Sequence, residues 1–445
     1  MKRVLIYSHD TFGLGNIRRM LEVARHLVQA SSEVSVLVVT GSPMLHAFRI
    51  PPRIDYLKLP CLSRDVQGRY GARFLDLSLA ATVRLRANLI RSAITDFAPD
   101  LILVDKKPFG VEDELSGALV ALQSSAVKPK LVLLLRDILD SPVETIRVWR
   151  KNGCFEAIEA YYDEVLVVGA PEVFDLRSEY RFPPFAAAKV RFCGYIARQP
   201  GRLSRAEARR GLGIVDGQAL VLVTPGGGED GFGLVMAGIE GWAALPAARR
   251  PRMHIVCGPE MPEAERAAVH RAASALAPLS VQDFSDDMMS LMGAADVVVA
   301  MGGYNTVCEL LTLHKRAVLV PRIEPGLEQC IRAERMAALG LLRMLHPQQL
   351  TPAALVEAVQ SELAALAART TLARLKSLDG LERCTAAILA QIGLQPATPA
   401  AAAGKARHAP ADAGPLARVH YRDASTFESS PWNRPASTAA APSAC

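Results

Sequence analysis

The stretch ADVVVAMGGYNTVCELL, residues 295–311, decides how the rest of the chain is read. DVVVAM (296–301) carries an unbroken apolar run instead of alternating with polar residues, which marks a strand in a parallel sheet covered by helices on both faces. It stops at Gly302-Gly303, and a helical pattern follows over 305–313, with Asn305 or Thr306 as its cap. Two residues without side chains, directly before a helix, leave its first amides open. Those N–H groups have no intrahelical partner and carry the positive end of the helix dipole, so they suit an anion. Glu309 has a competing local reading. Thr306-Val307-Cys308-Glu309 has capping-box spacing, in which the glutamate bonds back to the cap amide.

Working outward, the same strand–loop–helix unit recurs. RVLIYS (3–8), EVSVLVV (33–39), DLILVD (100–105), KLVLLL (130–135) and EVLVVG (164–169) form one strand series. LVLVTP (220–225), MHIVCG (253–258), DVVVAM (296–301) and AVLVP (317–321) form a second. Amphipathic stretches such as IRRMLEVARHLVQA (17–30) lie between them, so the fold class is α/β with right-handed crossovers. At 445 residues the chain is too long for one ordinary core, and two domains are expected. RFPPFAAAKVRFCGYIARQPGRLS (181–204) lacks periodicity and separates the two series, placing the domains at 1–195 and 196–394. Residues 395–445, rich in Ala, Pro and Ser, read as a disordered tail.

Composition narrows the function. The formal charge is +6 with no block of Lys and Arg, which argues against a nucleic-acid partner. The eight cysteines form no CxxC pair or Cys/His cluster, so no metal site and no metal cofactor are expected, and reduced thiols are the simpler reading. No run approaches the roughly 20 apolar residues of a membrane span. MKRVLIYSHD is too short in its apolar part for a signal peptide, so a cytoplasmic location is expected. Arg84, Arg86 and Arg91 offer a basic face for peripheral membrane association.

In open α/β sheets, ligands bind beyond the carboxyl ends of the strands, so the glycine-rich strand-to-helix loops are the candidate sites. SHDTFGLGNIRRM (8–20) brings Gly13 and Gly15 beside His9, Asp10 and Asn16, and has Arg18 where a dinucleotide fingerprint would need a third glycine. VTPGGGEDGFGLV (223–235) places Gly226, Gly227 and Gly228 after a strand, an arrangement that favours close approach of a sugar or phosphate to the backbone. It lacks the GK[ST] ending of a triphosphatase loop. VPRIEPGLEQCIRAERM (320–336) puts Glu328, Gln329 and Arg332 at the start of a helix, the last two spaced to share one face.

The segment FSDDMMSLMGAADVVVAMGGYNTVCELLTLHKRAVLVPRIEPGLEQCIRA (284–333) resembles the donor-binding half of glycosyltransferase family 28. The first domain resembles a bacterial group of predicted glycosyltransferases. The resemblance implies a GT-B architecture, two Rossmann-like domains facing across a cleft. It further implies that Glu309 binds the ribose hydroxyls of a UDP-sugar, that Gly302, Gly303 and Thr306 cradle the diphosphate, and that Glu328 and Gln329 touch the sugar. A ligand bearing hydroxyls overturns the capping-box reading of Glu309. The family commonly has a His where this chain has Asn16; an amide does not take a proton at neutral pH, so Asn16 is a catalytic-site candidate for holding the acceptor or the diphosphate. Candidate bases are then His9, Asp10, Asp105 and Asp137, with Asp10 and His9 preferred.

The implied activity is an inverting hexosyl transfer from a UDP-sugar donor to an acceptor glycan, lipid or small molecule. A sugar-nucleotide epimerase of the same fold and a non-catalytic nucleotide-sugar-binding protein are the alternatives.

Overall fold

The computed structural model describes residues 1–9, 15–43, 45, 48–64, 69–274, 276, 278–369, 372–376 and 378–396. The tail expectation for 395–445 falls almost entirely outside them.

The first half runs β1 (Lys2–Ser8), α1 (Gly15–Ala30), β2 (Val34–Thr40), β3 (Ile54–Lys58), β4 (Leu62–Arg64), β5 (Tyr70–Ala72), α2 (Leu79–Phe97) and β6 (Leu101–Asp105). It continues through α3 (Ser116–Gln123), β7 (Lys130–Arg136), α4 (Pro142–Lys151), α5 (Cys154–Tyr161), β8 (Glu164–Val168), α6 (Leu176–Glu179), α7 (Pro184–Ala187) and β9 (Val190–Phe192). The second half runs α8 (Arg205–Gly211), β10 (Leu220–Thr224), α9 (Phe232–Ala244), β11 (Arg252–Val256), α10 (Glu263–Ser274), β12 (Leu279–Gln282) and α11 (Met288–Ala294). It ends with β13 (Val297–Ala300), α12 (Tyr304–Thr312), β14 (Arg316–Leu319), α13 (Glu328–Ala338), β15 (Arg343–Met344), α14 (Pro352–Ala367) and α15 (Gly380–Gln391).

Both main sheets are parallel, in the orders β3-β2-β1-β6-β7-β8-β9 and β12-β11-β10-β13-β14-β15. In each, the chain starts mid-sheet, builds one way, then crosses back to build the other. The order therefore reverses between β1 and β6 and between β10 and β13, where adjacent loops part and leave a crevice. A small antiparallel pair, β4 with β5, lies outside the sheets.

The unbroken apolar runs have a direct cause. Along β10 and β13, Leu220, Leu222, Val298 and Ala300 face a core continuous with that of the first sheet. Val221, Val223, Val297 and Val299 face a second core beneath α9 and α14. Covered on both faces, these strands have no polar side. Helix starts follow local rules: Ser204 and Glu207 form a capping box on α8, and the Thr351 hydroxyl accepts from Ala354 N at 3.1 Å ahead of α14.

β3, β9, β12 and β15 are short edge strands with mixed exposure and no periodicity to read. β9 lies inside the 181–204 stretch taken as a separator. Near its end the chain returns to the first sheet. α15 packs on α1 and β8, with Gly380 N donating to Tyr195 O at 3.0 Å and Gln391 Nε2 donating to Glu164 Oε2 at 3.0 Å.

Candidate functional site

The loops after β10 and β13 meet because those strands are neighbours, Thr224 standing opposite Ala300. A Cβ at Gly226 would lie 3.8 Å from Thr306 Oγ1. Gly228 answers to the protein itself, whereas Gly227 would meet only the movable end of a side chain. At Gly228, with φ of 100°, a Cβ would fall 2.4 Å from Cys257 O, and at Gly227 it would fall 2.5 Å from Glu260 Oε2. What closely approaches this backbone is therefore the turn after β11, and Gly226 alone faces the β13 loop.

Helix α12 starts at Tyr304, not at 305, and its cap is Gly303, with no side-chain cap bond. Neither Asn305 nor Thr306 caps it: Asn305 Oδ1 instead accepts from Arg198 Nη2. The capping box of Thr306 and Glu309 is thus absent, because the backbone enters the helix a residue early and both lie inside it. Among the described residues, no side chain accepts a hydrogen bond from the first-turn amides.

Glu309 is 3% exposed, one turn further along. Arg18 Nη1, from α1 of the first sheet, forms an ion pair with its Oε1 at 3.2 Å, but no well-directed hydrogen bond reaches that buried oxygen. Burial raises the Glu309 pKa above the ordinary carboxylate range, against the opposing pull of Arg18 and Arg198. Ion-paired but short of hydrogen bonds, the buried carboxylate keeps acceptor capacity that a ligand's hydroxyls would fill.

Arg332, expected among the substrate-binding residues, is instead a strut between the two sheets. Fully buried on α13, it binds Asp137 in bidentate fashion, Nε to Oδ2 at 2.7 Å and Nη2 to Oδ1 at 2.8 Å. Its remaining nitrogen, Nη1, donates to Gly302 O at 3.1 Å and so fixes the glycine turn. Tyr195 Oη donates to Asp137 Oδ2 at 2.8 Å. Burial pushes the Asp137 pKa up, but Arg332 and the bonds from Tyr195 and Ile138 N outweigh it and hold the carboxyl below its usual range. Asp137 is thereby removed from the candidate bases. Asp105 is paired with Arg19, whose Nη2 donates to its Oδ1 at 2.6 Å, both side chains buried.

Glu328 and Gln329 sit at the start of α13. Arg322 Nη2 is 3.3 Å from Glu328 Oε1, and Leu327 N donates to Asp140 Oδ1, in the turn after β7, at 2.9 Å. With its amide turned to suit its surroundings, Gln329 donates to Met301 O at 2.8 Å and accepts from Arg322 Nε at 3.2 Å. Its side chain is then occupied by the strand end and Arg322.

On the first-sheet side, Asp10 and Gly13 lie outside the described residues, and Gly15 opens α1. Asn16 is not free for substrate: Nδ2 donates to His9 O at 2.7 Å and Oδ1 accepts from Arg19 Nη2 at 3.3 Å. It ties the loop to the helix.

His9 is 4% exposed at the end of β1, and its Nδ1 has no partner among the described residues. Burial, then Lys106, Lys107, Arg136 and Arg86, pushes its pKa well below the ordinary imidazole value, so it is neutral at pH 7. Lys106 follows β6 with φ of 69°, an uncommon conformation for a residue with a side chain. Burial together with Arg136 and Lys107 lowers its amine to about 7. Arg18, Lys106, Arg136 and Arg198 were missed as site residues. Only the Lys106-Lys107 pair directly after a strand signalled one of them.

The family model described as glycosyltransferase family 28 C-terminal domain matches residues 222–378. An uncharacterized glycosyltransferase of Methanopyrus kandleri is 28% identical over 248 residues, covering 55% of this chain and 65% of that protein. The UDP-N-acetylglucosamine–N-acetylmuramyl-(pentapeptide) pyrophosphoryl-undecaprenol N-acetylglucosamine transferase of a Methylobacterium species is 34% identical over 157 residues. That match covers 34% of this chain and 42% of the transferase, so the chain spans less than two thirds of the length of either relative.

Among solved structures, the calicheamicin glycosyltransferase CalG4 superposes with a TM-score of 0.58 at 17% identity, covering 88% of this chain and 98% of CalG4. The UDP-GlcNAc 2-epimerase of Neisseria meningitidis gives 0.55 at 13%, covering 88% of this chain and 99% of the epimerase. Both likenesses concern the fold. Residues 222–378 match the glycosyltransferase family 28 C-terminal domain, and the chain shares the GT-B fold of these solved structures.

Proposed function

We propose that the chain transfers a hexosyl group from a UDP-sugar to an acceptor hydroxyl, with inversion at the anomeric carbon. The observation that carries this reading is Glu309, a buried carboxylate with an oxygen lacking a hydrogen-bond partner, beside an uncapped helix start at the crevice of the second sheet. Ribose hydroxyls donating to Glu309 would supply what that oxygen lacks. The diphosphate would lie on the amides of Gly303 to Thr306, where the helix dipole stabilises negative charge as it develops on the leaving group. Arg332 positions the Gly302 turn. Residues 1–195 would then hold the acceptor and 196–394, apart from α15 on the first sheet, the donor.

In the reaction, the acceptor oxygen bonds to the anomeric carbon as that carbon's bond to the diphosphate breaks. The electron pair leaves with UDP, and the acceptor proton passes to His9 Nδ1. His9→Ala is expected to lower kcat by roughly 10²–10⁴ while UDP affinity is kept. Because the imidazole pKa is depressed, the base form is complete at neutral pH and the acidic limb of kcat should fall below pH 6.5. A limb centred near 7 would instead assign the proton to Lys106.

Calorimetric titration with UDP-linked sugars, UDP-N-acetylglucosamine first, tests the donor reading; no saturable binding of any of them refutes it. Release of UDP only when an acceptor is present separates transfer from the epimerase alternative, which isomerises the donor alone.

The acceptor side also suggests membrane contact. Phe74, Leu75 and Leu77 are 69%, 46% and 44% exposed, with Arg73 over the Phe74 ring at 5.1 Å. Arg86 does not contribute: it is buried, bidentate to Glu114 at 2.6 and 2.7 Å, and only Arg84 and Arg91 remain on the surface. Changing Phe74, Leu75 and Leu77 together to Ser should cut co-sedimentation with phosphatidylglycerol vesicles several-fold. Unchanged sedimentation removes this patch from the membrane contact. Among the described residues no helix is long and apolar enough to cross a membrane.

A further inference from the structure

Behind the second sheet, away from the glycine loops, a cavity of about 280 Å³ lies between α9 and α14. Its floor is apolar: Val221, Val223 and Val299 from the sheet, Leu355 and Val359 from α14, and Trp242 from α9. Its mouth is polar, formed by the exposed residues Arg249 and Gln360.

The two glycines that α9 presents to α14 explain where the space comes from. At Gly241 a Cβ would fall 2.5 Å from Pro352 O and 2.7 Å from Val356 Cγ2, so the close crossing of the helices demands a glycine there. At Gly238 a Cβ would meet only Val223 at 3.8 Å and Leu355 at 4.0 Å, which is ordinary contact. Glycine inside a helix is destabilising relative to alanine, and packing gives no reason for it at Gly238. What it does is leave the cavity open.

The mouth has a matching asymmetry. Arg250 is committed, bonded to Ala243 O and Leu245 O and lying over the Trp242 ring at 4.9 Å. The Arg249 guanidinium has no hydrogen-bond or ion-pair partner among the described residues. An apolar slot beneath a free guanidinium fits one chemistry, an aliphatic chain ending in an anionic head.

We propose that this cavity binds a single-chain anionic amphiphile, with the chain between α9 and α14 and its carboxylate or phosphate on Arg249. The site is separate from the nucleotide-sugar reading and does not depend on it.

The test is calorimetric titration of the full chain with decanoate, decyl phosphate and decanol, below their aggregation concentrations. Both anions should bind one to one. Gly238→Leu, which fills the slot, should weaken both at least tenfold, and Gly238→Ala by less. Arg249→Ala should bring the anions down to the affinity of decanol. Far-UV circular dichroism and cooperative thermal unfolding of each variant serve as the folding control.

Loss of phosphatidylglycerol vesicle binding in Gly238→Leu would identify the chain as a membrane lipid's. Unchanged vesicle binding with lost decanoate binding would identify a soluble amphiphile. The proposal fails if Gly238→Leu folds and binds decanoate as the parent does, if decanol binds as tightly as the anions, or if no ligand saturates.

Discussion

Arg332→Ala should destabilise the chain by about 3–5 kcal/mol, the cost of leaving the Asp137 carboxylate buried and unpaired. Both partners are fully buried, and the pair joins residues 195 positions apart. Asp137→Ala should cost a similar amount, since it strands the guanidinium. In Arg332→Met combined with Asp137→Leu the losses should be far less than additive, because neither charge remains. Urea denaturation of the four proteins measures this, and single losses below about 1 kcal/mol would show that the strut carries little of the fold.

The dependence on pH has a definite sign. The folded Asp137 pKa lies below the unfolded one, so its contribution is present above the ordinary carboxylate range and disappears only as pH falls through the depressed value. Because Arg332 also holds Gly302 O, its removal should loosen nucleotide-sugar binding in whatever protein stays folded.

Glu309→Gln should act in the opposite way on the empty protein. Its carboxylate is buried with an oxygen lacking a hydrogen-bond partner, and its pKa is raised, so ionising it opposes folding. With the folded pKa above the unfolded one, the native state binds more protons between the two values. Stability attributable to this group therefore falls as pH rises through that window, and the deficit persists at neutral pH. Replacing it with a neutral amide should leave the melting temperature unchanged or raise it.

Donor binding should suffer instead. Hydrogen bonds to a charged group contribute about 1.5–3 kcal/mol each, so losing the charge under two ribose hydroxyls should weaken UDP binding by roughly 100-fold. Thermal unfolding with and without UDP gives both numbers in one experiment. If Glu309→Gln binds UDP as the parent does, Glu309 is not the ribose contact. A capping glutamate would show the reverse pattern, lower stability and intact binding.

The parts of the site that were legible in the sequence are those written in the backbone. Gly302, Gly303 and the glycines at 226–228 end strands whose apolar runs announce them, and the helix over 304–312 shows in its own periodicity to within a residue. Side-chain assignments fared differently. Gly228 looks like part of a ligand cradle from its spacing, yet its reason is the turn at 257–261, which comes from the next strand. Asn16 reads as a candidate catalytic amide, but its two ends are taken by His9 O and Arg19.

By itself the sequence determined two parallel sheets, the loops at their carboxyl ends, and the family of the second half. These follow from unbroken apolar runs and from the helical period between them, which local chain geometry turns directly into strands, turns and helices. Only the tertiary structure decided that Arg332 belongs to Asp137, that Arg86 is buried on Glu114, that α15 returns to the first sheet and that Glu309 escapes its capping box. Each of these depends on which groups end up close together after packing. A buried charge takes whatever partner lies within hydrogen-bond reach, and residues that are neighbours in space need leave no trace of it in their spacing along the chain.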